Sequence, residues 1–568
     1  MSAMPSNAPT SRALRARRRE VLRFLAGFGL AAPSAALVSA IDGALTGAAA
    51  QPAAGQPVGK LGVYLPNWPD MVELWRQLSR DWAALGIELD LQQGTLDTFV
   101  AQIVAEQKLP HMGSMSWGGA PDRLDPDYFL SEMFHSRRTA RGGLNFGFYR
   151  NEAFDRLADA QRSEMDPAKR QQLVREAQAI IAEDSPSIVL YHRDIIHAYN
   201  KRRFSGVKPI LGNGIGFPYM PMAYQDLTPL TPRRFIRITS IYDIASLNPF
   251  LTPEIYNSTT LRLIYATFTT RDEKAEVMPW ALQSWNIVNP TTVDLVLRPN
   301  TKFHDGQPAT AQDMKFTFDF INQHRFPALS RIYDAVESAE ITGDLTVRLK
   351  LRQPSAPFTA NVLGYAFLAP KHIWEKVPAN LATPADWPND KPIGSGPWKL
   401  VEWRKGEFLQ FAANPDFFMK PKLDGIVVLP VPQMESMVGM LERGDSDMLG
   451  WNLDVTLGNR ISRNPELEVV RTPTHGQHEL RLNLAMAPTS NKAFRRALQH
   501  ATDRKKLLEI IFSGAGVVSN GAPITPALEG WANPDIRTPE ASIDRARAVL
   551  REGGFTWNAQ GQLVMPAA

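Results

Sequence analysis

Three aspartates, Asp122, Asp125 and Asp127, stand in one short stretch, SWGGAPDRLDPDYF (116–129). The glycines and prolines around them exclude a helix or a central strand, so the carboxylates sit on a loop. A carboxylate fixed there can pair with a cationic group. It can also simply bond the backbone N–H groups of its own turn, as most loop aspartates do. Elsewhere, residue types that carry chemistry do not assemble. H-E-x-x-H, a Walker loop and G-x-G-x-x-G are all absent. Ser114-Met115-Ser116-Trp117-Gly118 lacks the first glycine of a nucleophile elbow, and Ser205-Gly206-Val207-Lys208 has no S-D-N or K-T-G companion. His304-Asp305 offers one histidine and one acid, too few for a metal site. With no cysteine in the chain, disulfides, thiolate nucleophiles and zinc–thiolate sites are excluded. The residues point to no enzyme and to no cofactor.

The chain has 568 residues, too many for one core, so two or three lobes are expected. Six of its 62 basic and two of its 58 acidic residues lie in the first fifty, which leaves the remainder formally neutral. A neutral body carries no electrostatic footprint for nucleic acid. The first fifty residues read as an export signal. Arg18-Arg19-Glu20-Val21-Leu22-Arg23 precedes an apolar stretch broken by Gly27, Gly29 and Pro33, and Ala48-Ala49-Ala50 offers small residues for cleavage. The R-R-x-V-L-R pattern resembles a twin-arginine signal and predicts a periplasmic destination.

These loops need elements to hold them. Residues 51–59 read as a flexible leader. KLGVYLP (60–66) reads as a strand, Asp70 with Glu73 as the capping box of a helix ended by Gly86, and IELDLQ (87–92) as the next strand. This order signals α/β architecture. Asp166-Pro167 opens a second helix, and PSIVLYH (186–192) is a buried strand. QDLTPLTPRR (225–234) reads as a linker. Thr310 caps a helix over 310–321, and 491–514 reads as helical.

Four longer stretches carry a resemblance: 279–321, PIGSGPWKLVEWRKGEFLQFAANPDFF (392–418), MLERGDSDM (440–448) and LRLNLAMAPTSNKAFRRALQHATDRKKL (480–507). Together they resemble the extracytoplasmic solute-binding proteins of family 5, which serve peptide, dipeptide and nickel ABC importers. The resemblance implies a periplasmic-binding-protein-like fold (type II, cluster C) with two α/β lobes and an extra small domain. The order is inverted, however. In the family the equivalent of 231–568 comes first and that of 60–230 last, so the chain resembles a circular permutant. The C-terminal stretch 561–568 is then expected beside 58–66. The implied organisation is a signal at 1–50, a leader at 51–59 and lobe B at 60–200. Lobe A follows at 201–260, the small domain at 261–384, the rest of lobe A at 385–477, and the rest of lobe B at 478–568.

In peptide-binding members an aspartate of the W…D-x-x-[D/E]-P loop pairs with the ligand's α-ammonium group. Asp122 matches that position, two residues farther from Trp117 than in dipeptide binders. Thr252 matches a threonine that contacts ligand from the other lobe. Trp117, Trp68, Asn145 and Trp451 lie in loops expected at the cleft. The turn Pro66-Asn67-Trp68-Pro69 lacks the arginine with which dipeptide binders hold the ligand carboxylate. A longer peptide, an amide or another amine-bearing solute is therefore expected, bound by a monomer and passed to an ABC permease with its ATPase subunits. A hydrolase of peptide or cell-wall material, and a sensor or chaperone, are the alternatives.

Overall fold

A computed structural model describes residues 53–215, 221–250, 255–326, 329–377, 387 and 389–567. The export-signal residues 1–50 and Thr252 lie outside them. Among the described residues no helix is long and apolar enough to cross a membrane.

Two mixed sheets dominate. The first runs in the order Glu88–Gly94, Lys60–Pro66, Met112–Trp117, Gln477–Leu482, Ser187–Arg193, Gly516–Val518. Its first three strands are parallel, and Gln477–Leu482 is antiparallel to both neighbours. The second runs Trp398–Arg404, Phe408–Ala413, Gly425–Pro430, Phe235–Ser240, Met448–Leu449, Ile195–Asn200, Leu467–Thr472. A four-stranded antiparallel sheet between 282 and 351 makes a smaller unit with the helix Ala311–His324. Thr310 caps that helix, as expected, and Asp313 completes a reciprocal box with it.

Among the described residues the chain crosses between the two large sheets twice. Ser187–Arg193 passes through Asp194 alone into Ile195–Asn200, and Leu467–Thr472 passes through 473–476 into Gln477–Leu482. The change of sheet falls at Asp194, not at residue 200, because Ile195–Asn200 finds its partners in Leu467–Thr472.

Local chemistry explains where elements depart from expectation. The first helix is Pro69–Ala83, with Trp68 as N-cap and no side-chain cap. Pro69 sets the start because its fixed φ suits the first helical position and it has no N–H to satisfy. Glu73, expected in a capping box, accepts from Gln77 instead. Residues 491–514 form two helices, Lys492–His500 and Arg504–Phe512, because the Asp503 side chain accepts from Lys506 N and starts a second one. The expected linker is anchored: Thr228–Pro229 pairs with Phe204–Ser205, and Leu227 is fully buried. The leader is anchored as well. Val58 N donates to Leu563 O at 2.8 Å, Met565 N to Gln56 O at 2.9 Å, and Gly55 N to Pro566 O at 3.2 Å.

Candidate functional site

The loop after Met112–Trp117 is held from below. Asp125 is buried and receives both terminal nitrogens of Arg170, at 2.7 and 3.0 Å, while also accepting from Asp127 N. Asp127 is buried too and accepts from Gln161 Nε2 at 2.7 Å. Burial raises both carboxyls. At Asp125 the Arg170 guanidinium, the Asp127 N–H and Arg271 together outweigh burial and hold the group below the usual carboxylate range, whereas Asp127 stays above it. Two of the three aspartates therefore fix the turn. The third, Asp122, lies in the short 3-10 turn Pro121–Leu124 between them and Trp117; its side chain is outside the described residues.

Trp117 closes the ladder with Gln477 directly opposite. Its indole N–H donates to Glu479 Oε1 at 2.9 Å, and the same oxygen takes Arg481 Nη2 at 2.6 Å. Arg481 also donates to Met133 O at 2.9 Å and lies over the rings of Phe134 and Phe146. Glu479 and Arg481 form an almost fully buried, charge-balanced pair, with partners on both sides as such pairs require.

The other expected residues are dispersed. Asn145 is fully buried, with Nδ2 donating to Phe134 O, His135 O and Tyr149 O and Oδ1 accepting from Tyr149 N. Its amide thus braces the segment that carries Met133. Trp68 packs in the core on the Pro69–Ala83 side of the first sheet, and Trp117 in the core with the helix Pro167–Asp184. Trp451 belongs with the second sheet, its ring 5.3 Å from Tyr242. The described residues bring none of these three tryptophans into one cluster.

The two sheet crossings gather residues that sequence reading passed over. His192, His197, His475 and His478 are all buried there. His192 Nδ1 bonds Gly476 O at 2.9 Å, His475 Nε2 bonds Ala120 O at 2.9 Å, and His197 Nδ1 accepts from Ile215 N at 3.0 Å. Burial pushes His192 and His197 down to about 4 and His478 well below its ordinary value. The imidazoles are packed against glycine backbone: a Cβ on Gly212 would meet His475 Nδ1 at 1.8 Å, and one on Gly214 would meet His197 Nδ1 at 2.3 Å. Among the described residues no three acidic or histidine side chains are grouped to hold a metal ion.

Residues 276–567 match the bacterial extracellular solute-binding proteins, family 5 Middle, over just more than half the chain. The chain belongs to this family. Similar curated members include the oligopeptide-binding protein AppA of Bacillus subtilis, 28% identical over 299 residues, 52% of this chain and 54% of that one. The glutathione-binding protein GsiB of Salmonella typhimurium is 23% identical over 55% of this chain and 60% of its own. The nickel-binding periplasmic protein of Escherichia coli is 25% identical over 54% and 59%. The chain spans about half the length of the curated relatives it matches. Among solved structures, NikZ from Campylobacter jejuni in complex with Ni(L-His) gives a TM-score of 0.45 at 23% identity, covering 59% of this chain and 66% of that one. AppA from Bacillus subtilis in complex with a nonapeptide gives 0.44 at 23%, covering 58% and 66%.

Proposed function

We propose that this family 5 member is the solute-binding component of an ABC importer. It holds a peptide-like or amine-bearing solute between its two lobes and delivers it to a membrane permease. The observation that carries the reading is the family match over 276–567. Two sheets joined, among the described residues, by two crossings suit a protein that closes over a ligand. A thermal-shift screen of the purified chain against peptides, amides and amines tests it. A ligand at about 100 times its dissociation constant stabilises by about 2.7 kcal/mol. A screen in which no solute raises the melting temperature sinks the reading.

The ammonium partner in this proposal is Asp122, and Thr252 is proposed as a ligand contact contributed by the other lobe. Trp117, Trp68, Asn145 and Trp451 are proposed to shape the cleft. The support for Asp122 is its place: the neighbouring carboxylates are already engaged by Arg170 and Gln161, and Trp117 fixes the other end of the turn. Export is proposed to follow the twin-arginine route. Replacing Arg18 and Arg19 by lysine is expected to leave precursor in the cytoplasm, and unaltered export of that variant counts against it.

The segment order is proposed to be a circular permutation of the family's. Three observations support it. The family match lies in 276–567. Both large sheets interleave strands from 60–230 with strands from 231–568. Residues 55–58 are hydrogen-bonded to 563–566, where a chain in the family's order would run straight on.

A further inference from the structure

Buried polar atoms almost always find partners, so a group of them without any calls for an account. Arg481 Nε and Ser187 Oγ lack a partner along one face of the first sheet, and beside Trp117 on that face stand four more such atoms among the described residues. The four are His192 Nε2, Gln477 Oε1, Gln477 Nε2 and Glu479 Oε2. The three residues are 2%, 0% and 0% exposed. They form one set. Gln477 stands opposite Trp117, whose indole binds the other oxygen of Glu479, and His192 is bonded to the carbonyl of Gly476, the residue before Gln477. All lie beside the crossings at Asp194 and 473–476.

The chemistry of the set is specific. His192 donates from Nδ1 to a carbonyl, and burial at this face keeps the ring neutral, so Nε2 accepts. Gln477 Oε1 and Glu479 Oε2 also accept, and Gln477 Nε2 donates. A complementary group must offer several N–H donors and one acceptor. Charge decides between the groups that can. Glu479 is already balanced by Arg481 at 2.6 Å, and an imidazole that donates at one nitrogen and accepts at the other is neutral. An ammonium or guanidinium would enter without a counter-charge, and a carboxylate would face three acceptors. A carboxamide brings two N–H donors and one carbonyl in a plane and adds no charge.

We propose that this face is a subsite for a carboxamide of the bound solute, gripped by Gln477 and Glu479 with His192 as third acceptor. The inference rests on the solute-binding reading and names its substrate class as amide-bearing, with asparagine or glutamine side chains in a peptide as the fitting case. The atoms are closed to solvent in this conformation, so the solute reaches them only when the lobes rotate about Asp194 and open on the side of the 473–476 crossing.

Calorimetric titration of the full chain with alanine tripeptides tests this, each carrying one glutamine, glutamate, lysine or leucine at each position in turn. At one position the glutamine probe is expected to bind on the order of tenfold or more tightly than its three counterparts, since a site that hydrogen-bonds a group rejects analogues lacking it. Gln477→Leu is expected to erase that preference. Should that variant fold poorly, the near-isosteric Gln477→Glu is expected to move the preference to lysine. Probes that bind equally whatever the side chain, or a glutamine preference that survives in both variants, overturn the proposal and leave the solute-binding reading standing. The same holds if a solute without an amide is bound while every probe fails, or if a liganded crystal structure places only water on these four atoms. Binding of no solute at all overturns both.

Discussion

Arg170 reaches back 45 residues to hold both oxygens of Asp125, at 2.7 and 3.0 Å. The pair is buried on both sides, and Gln161 Oε1 takes a further donor from the same guanidinium at 3.1 Å. This contact, rather than the turn's own hydrogen bonds, pins the aspartate-rich loop to the helix Pro167–Asp184.

Removing one partner of such a pair leaves a buried charge alone. Arg170→Met is expected to destabilise the protein by about 3–5 kcal/mol. The double variant Asp125→Leu/Arg170→Met, which removes both charges, is expected to recover most of that. Urea unfolding of the two variants reads the difference, and a double variant as unstable as the single one contradicts the account.

The crossing histidines set an acid limit. His192 and His197 stay neutral in the folded protein down to about pH 4, whereas the unfolded chain takes up protons near 6.5. Between those values the unfolded state binds more protons, so stability falls as pH falls, by about 1.4 kcal/mol per unit for each histidine. Neither contributes above pH 6.5. The urea midpoint is expected to be flat from pH 8 to 7 and to decline from 6.5 towards 4, and His197→Asn is expected to make the decline shallower. A midpoint unchanged between pH 6.5 and 4.5 rules this out.

A chain rebuilt in the family's order, 231–567 followed directly by 58–230, is expected to fold to the same structure. The hydrogen bonds between 55–58 and 563–566 place the new junction within reach, and chain ends at such sites are tolerated. Matching thermal unfolding and solute affinity are the expected results; a rebuilt chain that fails to fold cooperatively argues against permutation.

Asp122→Asn keeps the shape of the turn and removes one charge. For a desolvated ammonium partner the loss is about 2–5 kcal/mol, or roughly 30- to 5,000-fold in affinity. Titration with a solute from the screen measures it, and an unchanged affinity returns Asp122 to the role of a turn former.

Local signals carried much of the fold. The strand–helix–strand run from Lys60 to Gly94, the Thr310 cap and the Asp166 cap follow from spacing and cap chemistry, and all three are present. Pro69 was the stronger helix start than Asp70, a choice that a fixed φ decides and a capping pattern obscures. The polar face at Gln477, Glu479 and Arg481 was far harder to see. Alternating polar residues ordinarily mark the wet face of a strand. Here both faces are covered, and what neutralises the polar one comes from Trp117 and Met133, 362 and 348 residues away. No window of sequence holds that information. Asn145 differs, since its partners Phe134, His135 and Tyr149 lie only four to eleven residues away.

The single residue at one crossing has a mechanical meaning. One residue of extended chain spans only about 3.5 Å, and four span about 14 Å. The two large sheets are tied at Asp194 by one residue and at 473–476 by four. They cannot be drawn apart at Asp194; they can only rotate there, while the longer tie pays out and takes up. Rocking of one half against the other is therefore expected to pivot at Asp194. The backbone beside that fulcrum moves least, and it is the backbone that carries His192.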